Sequence, residues 1–191
     1  MTDLYHPPDV EQASKAWGAT CGPCSLAAAL GRPVASVFEA VADPPQGLPG
    51  IDTPSFRGWM TIGHMKTAVV RAGAHLDREW APATPRMLEE LLGTPAFAGT
   101  RILACLQWGG PWPPRAAARF RHWVALCLAS DGKRTGLAAY DWNAAHLDDA
   151  ETRVAGGWLF WSTWQEKLLP NLLPERGDGT FKVQWAGVVR R

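Results

Sequence analysis

The chain has 191 residues, 47% of them hydrophobic, which is enough for one domain with a substantial core and excludes a disordered chain. Its 19 basic and 18 acidic residues leave a net charge of +1, so there is no electrostatic basis for binding nucleic acid or an anionic membrane surface. No apolar run reaches the roughly 20 residues of a membrane helix, the opening MTDLYHPPDVEQ lacks the basic and apolar regions of a signal peptide, and 4 cysteines suit a reducing, cytoplasmic setting better than a disulfide scaffold.

Residues 1–16 read as a polar lead-in. In KAWGATCGPCSLAAALGRPV, residues 15–34, a helix is expected to start near Pro23 and run through Leu26 and Leu30 to a stop at Gly31. A second helix begins at Pro33, with Val34, Val37, Phe38 and Val41 on one face. DPPQGLPGIDTP then breaks regular structure. Thr61 is a candidate cap for a third helix that buries Ile62, Met65 and Val69 and ends at Gly73. Thr84 and Pro85 open a fourth, with Leu88, Leu91 and Leu92 inward.

From residue 100 the pattern changes. RILACLQW reads as a buried strand, GGPWPPRAAARFR as a long loop, and HWVALCLAS and TGLAAYDWN as a hairpin across the DGKR turn. GGWLFW reads as a further strand, STWQEKLLPNLL as a helix kinked or ended by Pro170, and FKVQWAGVVRR as a closing strand. Helices first and turn-linked strands later argue for an α+β class: N-terminal helices packed on a C-terminal antiparallel sheet. Without repeats or linkers, residues 1–191 form a single domain.

The chemistry concentrates at CGPC, residues 21–24. As a thioredoxin-type redox pair it would follow a buried strand, but EQASKAWGAT carries no β-branched apolar run. As half of a zinc site it would need a second pair, yet Cys105 and Cys127 sit singly inside apolar strands and read as small buried hydrophobes. No metal and no cofactor are expected. The remaining chemistry is nucleophilic: a cysteine at a helix N-terminus, a histidine to hold its proton and a third group to fix the imidazole. His122 opens a strand after a loop that leaves room for a cleft. Asp141 and Asn143 lie on the paired strand, near the same end of the hairpin.

The ordered set CGPCSLAAAL, HWVALCLASDG and LAAYDWN resembles the papain-like, C39-like cysteine peptidases. WGATCGP, HWVA, YDWNA, and GGW ahead of a Trp-rich helix resemble small members carried by bacteriophages and prophages. The resemblance implies a papain-like fold and a thiol hydrolase acting on a peptide or isopeptide bond in the cytoplasm of a bacterium or infected host. In it Cys21 is the nucleophile, His122 the general base and acid, and Asp141 the orienting acid. Asn143 is the alternative for that last role, and papain's own register points to Cys24 as the alternative nucleophile. Relatives often carry an oxyanion glutamine six residues before the nucleophile. Lys15 stands there, while Gln12 lies nine before.

Trp17, Trp123, Gln107 and Trp108 are candidates for lining a substrate cleft, or for the core, in a chain with 11 tryptophans. His64 reads as a helix-surface or packing residue and His75 as surface loop; His6 and His146 sit in polar or mixed stretches. Two functional classes fit: a thiol-dependent hydrolase acting on peptide or protein, and a non-catalytic module that uses the same cleft to bind one. A CGPC thiol-disulfide oxidoreductase is the third possibility.

Overall fold

The computed structural model describes residues 4–17, 21–41, 60–108, 121–147, 153–172 and 181–191. In chain order the helices are α1 (Val10–Trp17), α2 (Cys21–Leu30), α3 (Val34–Val41), α4 (Ile62–Arg71), α5 (Pro85–Leu92), α6 (Trp161–Lys167) and α7 (Leu169–Leu172). The strands are β1 (His75–Trp80), β2 (Arg101–Trp108), β3 (Arg121–Ser130), β4 (Thr135–Tyr140), β5 (Arg153–Ala155), β6 (Trp158–Phe160) and β7 (Phe181–Arg190). They form one 7-stranded sheet in the order β1-β7-β2-β3-β4-β6-β5, with antiparallel pairing throughout, so the α+β class holds.

Both faces of this sheet are apolar, because the central strands alternate between two hydrophobic sets rather than between apolar and polar residues. Leu103 and Cys105 of β2, Trp123, Ala125 and Cys127 of β3, and Tyr140 of β4 join the core beneath α2, α3 and α4. Ile102, Ala104 and Leu106, Val124 and Leu126, and Leu137 and Ala139 point the other way. There Leu88 and Leu92 of α5 and Trp161 and Trp164 of α6 cover them. The expected layer of N-terminal helices is therefore joined by a second layer on the opposite face.

Helix α2 is buried from Gly22 to Leu30. A helix apolar on every side belongs in the middle of a core, and the run Ala27-Ala28-Ala29 lets sheet and α3 approach closely. Its one polar side chain within that run, Ser25, donates from Oγ to the carbonyl of Trp123 at 3.0 Å, which satisfies the hydroxyl and pins α2 to β3. Gly31 ends α2 at φ +58°, a left-handed position that glycine occupies without steric penalty. The expected caps are in place: Thr61 Oγ1 accepts from the His64 amide at 3.1 Å and Thr84 Oγ1 from the Met87 amide at 3.2 Å.

Several expectations need correction. The lead-in contains α1, which buries Val10 and Ala13. Two short apolar residues make too faint a stripe to read as a helix. His75 lies on strand β1, not in a loop: HLDREW is an edge strand with mostly exposed side chains, so it lacks apolar alternation. The second hairpin strand stops at Tyr140, where Asp141 caps a 3₁₀ turn over Trp142–His146. GGWLFW divides into the turn after β5, strand β6, and Trp161 at the start of α6; the STWQEKLLPNLL helix breaks at Leu168, ahead of Pro170. The expected loops over DPPQGLPGIDTP and residues 109–120 lie outside the described residues.

The β5–β6 turn offers a stability test. A Cβ on Gly157 would lie 2.6 Å from Cε2 of the fully buried Tyr140 ring and 3.3 Å from the Asp141 carbonyl oxygen. Neither neighbour can swing aside, so Gly157→Ala is expected to lower the unfolding free energy by about 1–3 kcal/mol, read as a lower urea midpoint at unchanged slope.

Candidate active site

The two apolar layers leave the rim of the sheet, at the start of β3 and the end of β4, as the place where polar groups gather. Cys21 is the first residue of α2 and half-buried, where the amides of the first turn have no partner within the helix and the helix end carries partial positive charge. His122 is the second residue of β3 and 7% exposed. Its ring is hydrogen-bonded to the Cys21 thiol. Its Nε2 lies 2.6 Å from Oδ2 of Asp141, which leaves Nδ1 for the sulfur.

Asp141 is fully buried and every acceptor on it is used. Oδ2 takes the His122 bond and a second from the indole Nε1 of Trp164 at 2.7 Å. Oδ1 accepts from the backbone amide of Asn143 at 3.0 Å and from its side-chain Nδ2 at 3.2 Å. Burial pushes the Asp141 carboxyl upward, but the charge of His122 and the bonds from His122, Trp164 and Asn143 outweigh it and hold the group below the usual carboxylate range. Burial likewise works against a charged His122. The charge of Asp141, the proximity of Cys21 and the bonds to both overcome it and push the imidazole up to about 10. At neutral pH the pair is thus an imidazolium against a carboxylate, with the imidazolium touching Cys21 Sγ.

The structure brings together Cys21, His122 and Asp141. It places the two alternatives, Asn143 and Cys24, differently. Continuing the β3–β4 register beyond Ala125↔Tyr140 would set Asn143 opposite His122. The chain instead leaves the sheet at Asp141, so Asn143 supports Asp141 and does not hold the imidazole. Cys24 points into the core with no exposed surface. Burial, then the nearby Cys21, Asp9 and Asp141, push its thiol up to about 12.

Other candidates separate as well. Trp123 is a core residue: 1% exposed, its Nε1 donating to the Met60 carbonyl at 3.0 Å and its ring edge-on to Trp185. Gln107 is half-buried near the end of β2, across from Arg121 and Lys182. Gln12 is exposed on α1, in a groove with His6, Pro8, Glu11 and Lys15, and makes no hydrogen bond among the described residues. Lys15 is exposed and faces Glu11. The side chains of Trp17 and Trp108 lie outside the described residues. Cys105 and Cys127 are buried in the sheet, and among the described residues no group of three His, Cys, Asp or Glu could hold a metal ion.

Trp164 is the member that sequence reasoning missed. It comes from α6, on the face opposite α2, and its indole stacks on Trp161 at 4.9 Å while its N–H reaches Asp141. The signal was its place in the Trp-rich helix after GGW, where nothing marked one indole over another.

The thiolate is the reactive form of cysteine, and burial suppresses it. Brief iodoacetamide treatment of the native protein at neutral pH should therefore label Cys21 and leave Cys24, Cys105 and Cys127 unmodified until the chain is unfolded, as read by peptide mapping. Faster labelling of Cys24 would overturn the assignment of Cys21 as nucleophile.

Comparison with protein-family models, with curated proteins and with solved structures finds no match to this chain, so its function rests on the chemistry of this site.

Proposed function

We propose that the protein is a thiol-dependent hydrolase of the papain-like kind, acting on a peptide or isopeptide bond. The observation that carries this reading is the unbroken line of contacts from Cys21 through His122 to Asp141 at the start of a helix. In this reading Cys21 Sγ attacks the substrate carbonyl carbon as a thiolate. The oxyanion is met by the backbone amides of Cys21 and Gly22, which have no partner within α2. His122 gives its Nδ1 proton to the departing amine, leaving an acyl group on sulfur. It then takes a proton from the water that attacks the thioester, releasing the acid and restoring the thiolate–imidazolium pair. Asp141 keeps its proton-free state throughout and holds Nε2, and Trp164 and Asn143 hold Asp141. No metal or cofactor enters these steps.

The same reading places the protein in a reducing compartment, the cytoplasm of a bacterium or a phage-infected host, where 4 free cysteines persist. Among the described residues no single helix is long and apolar enough to cross a membrane.

A second reading, a binding module that keeps the cleft but not the turnover, is favoured by Lys15 standing where relatives carry the oxyanion glutamine. An activated ester separates the two. With p-nitrophenyl acetate, the hydrolase reading expects a burst of nitrophenolate and a transient acetyl group on Cys21 by mass spectrometry. Absence of both, with Cys21 alkylated no faster than a free cysteine in a peptide, would replace catalysis by binding.

A further inference from the structure

The hydrolase mechanism leaves Cys24 without a task, although it lies one helical turn from the nucleophile. We propose that Cys24 is a resolving thiol: when a hydroperoxide oxidises Cys21, Cys24 closes a reversible Cys21–Cys24 disulfide that switches the site off and spares the nucleophile from irreversible oxidation.

Residues three apart share a helix face. Ideal helix geometry separates their Cα atoms by about 5 Å, inside the window of roughly 4.4–6.8 Å that a disulfide spans. Both cysteines belong to the first turn of α2. The Cys21 amide, at the first position of the helix, has no intrahelical partner, so its N–H loses no helix bond when the backbone adjusts there. Access divides the roles. Cys21 is half-buried and meets a reagent from solvent, while Cys24 is 0% exposed and shielded from one. The two are electrostatically coupled, since Cys21 is the largest influence on the Cys24 thiol after burial itself.

The chemistry balances. The Cys21 thiolate attacks one oxygen of the hydroperoxide, breaking the O–O bond; the sulfur becomes a sulfenic acid and the remaining oxygen leaves as water or an alcohol. Cys24 Sγ then attacks the sulfenic sulfur. Its proton departs with the sulfenic hydroxyl as water, and the S–S bond forms. Two thiols are oxidised and one peroxide is reduced. A dithiol reverses the step by exchange. The inference goes beyond the hydrolase reading, and its readout is the mass of the protein, not turnover, so either can fail without the other.

The test treats the reduced, full-length protein with a small excess of hydrogen peroxide and quenches with catalase. Trypsin cuts after Lys15 and, because Pro33 blocks cleavage at Arg32, next after Arg57, which places both cysteines in one peptide, residues 16–57. The expected result is a peptide lighter by two hydrogens, loss of Cys21 alkylation, and full return of both on adding dithiothreitol. Cys24→Ala and Cys24→Ser should keep the alkylation of Cys21 in the reduced state, yet accumulate sulfinic acid on Cys21 that dithiothreitol does not reverse. The proposal is overturned if the unmodified protein instead accumulates oxygen atoms on Cys21 while Cys24 stays alkylatable after unfolding. Should neither variant fold, the hydrogen count and its reversal in the unmodified protein decide alone.

Discussion

Replacing Asp141 with alanine is expected to lower the unfolding free energy by about 3–5 kcal/mol, the cost of breaking a buried ion pair from one side. The reason is the number of groups abandoned at once. His122 would be left as a buried cation with no counter-charge, and the Trp164 indole N–H and both Asn143 donors would lose their acceptor. Chemical denaturation measures the loss. Asp141→Asn keeps an oxygen toward some of these donors but removes the counter-charge of His122, so it should cost less stability than Asp141→Ala while still slowing acyl transfer. A destabilisation by Asp141→Ala within about 0.5 kcal/mol, the range of ordinary surface substitutions, would show that the carboxylate is not the hub of this cluster.

The same pair sets the pH dependence of stability. The Asp141 carboxyl is held below its usual range in the folded state, so its contribution is present above the unfolded value of about 3.9 and fades as pH falls through the folded value. His122 is raised to about 10 in the folded state, so its contribution is complete below its unfolded value of about 6.5 and is lost as pH rises through about 10. Stability should therefore be flat in the mildly acidic range and decline on both flanks. Denaturation series from pH 3 to about pH 11 would show it, and Asp141→Asn should flatten both limbs.

Replacing His122 with alanine is expected to reduce acyl transfer by about 10²–10⁴-fold, the usual worth of a general acid–base group. It should also slow Cys21 alkylation at neutral pH, because the positive ring beside the sulfur is gone. The two effects together are diagnostic. Loss of acyl transfer alone would fit a missing proton shuttle, whereas loss of both requires that His122 also hold the sulfur in its reactive form. If alkylation and acylation are both unchanged, the contact between Cys21 and His122 has no chemical consequence and the hydrolase reading fails. His122 lies in a buried position, so circular dichroism and a denaturation curve should accompany the rates.

How much of this could be read from residues alone follows from the kind of interaction involved. Thr61, Thr84 with Pro85, and Gly31 act through their own backbone and the next few residues, and each is where the pattern puts it. Cys21, His122 and Asp141 were legible because a helix start and the two strands of a hairpin constrain their positions before any packing is known. Asn143 differs only in its placement: strand alternation carries it on past Tyr140, whereas the chain turns at Asp141, whose side chain accepts from the Asn143 amide. Trp123 stays open between cleft and core in the sequence, for want of any local sign that Met60 would accept from its indole. Trp164 and the second helical layer depend on contacts across the sheet, and such contacts leave no trace in a neighbouring residue's identity. Strand β1 was invisible for a different reason: its pairing is made by backbone to β7, and its side chains are those that keep an edge from aggregating.

The cluster at the rim draws its members from four segments, with the thiol on the N-terminal layer and its three partners on β3, the turn after β4, and α6. No short stretch of chain contains it, and its contacts span sequence separations that make loop closure slow. On the hydrolase reading, enhanced reactivity of Cys21 can therefore emerge only when the final architecture has assembled around it. A pulse of alkylating reagent during refolding would time that event directly, because an early collapsed chain would carry the thiol but not the imidazolium. The nucleophile would then double as a chemical clock for completion of the fold.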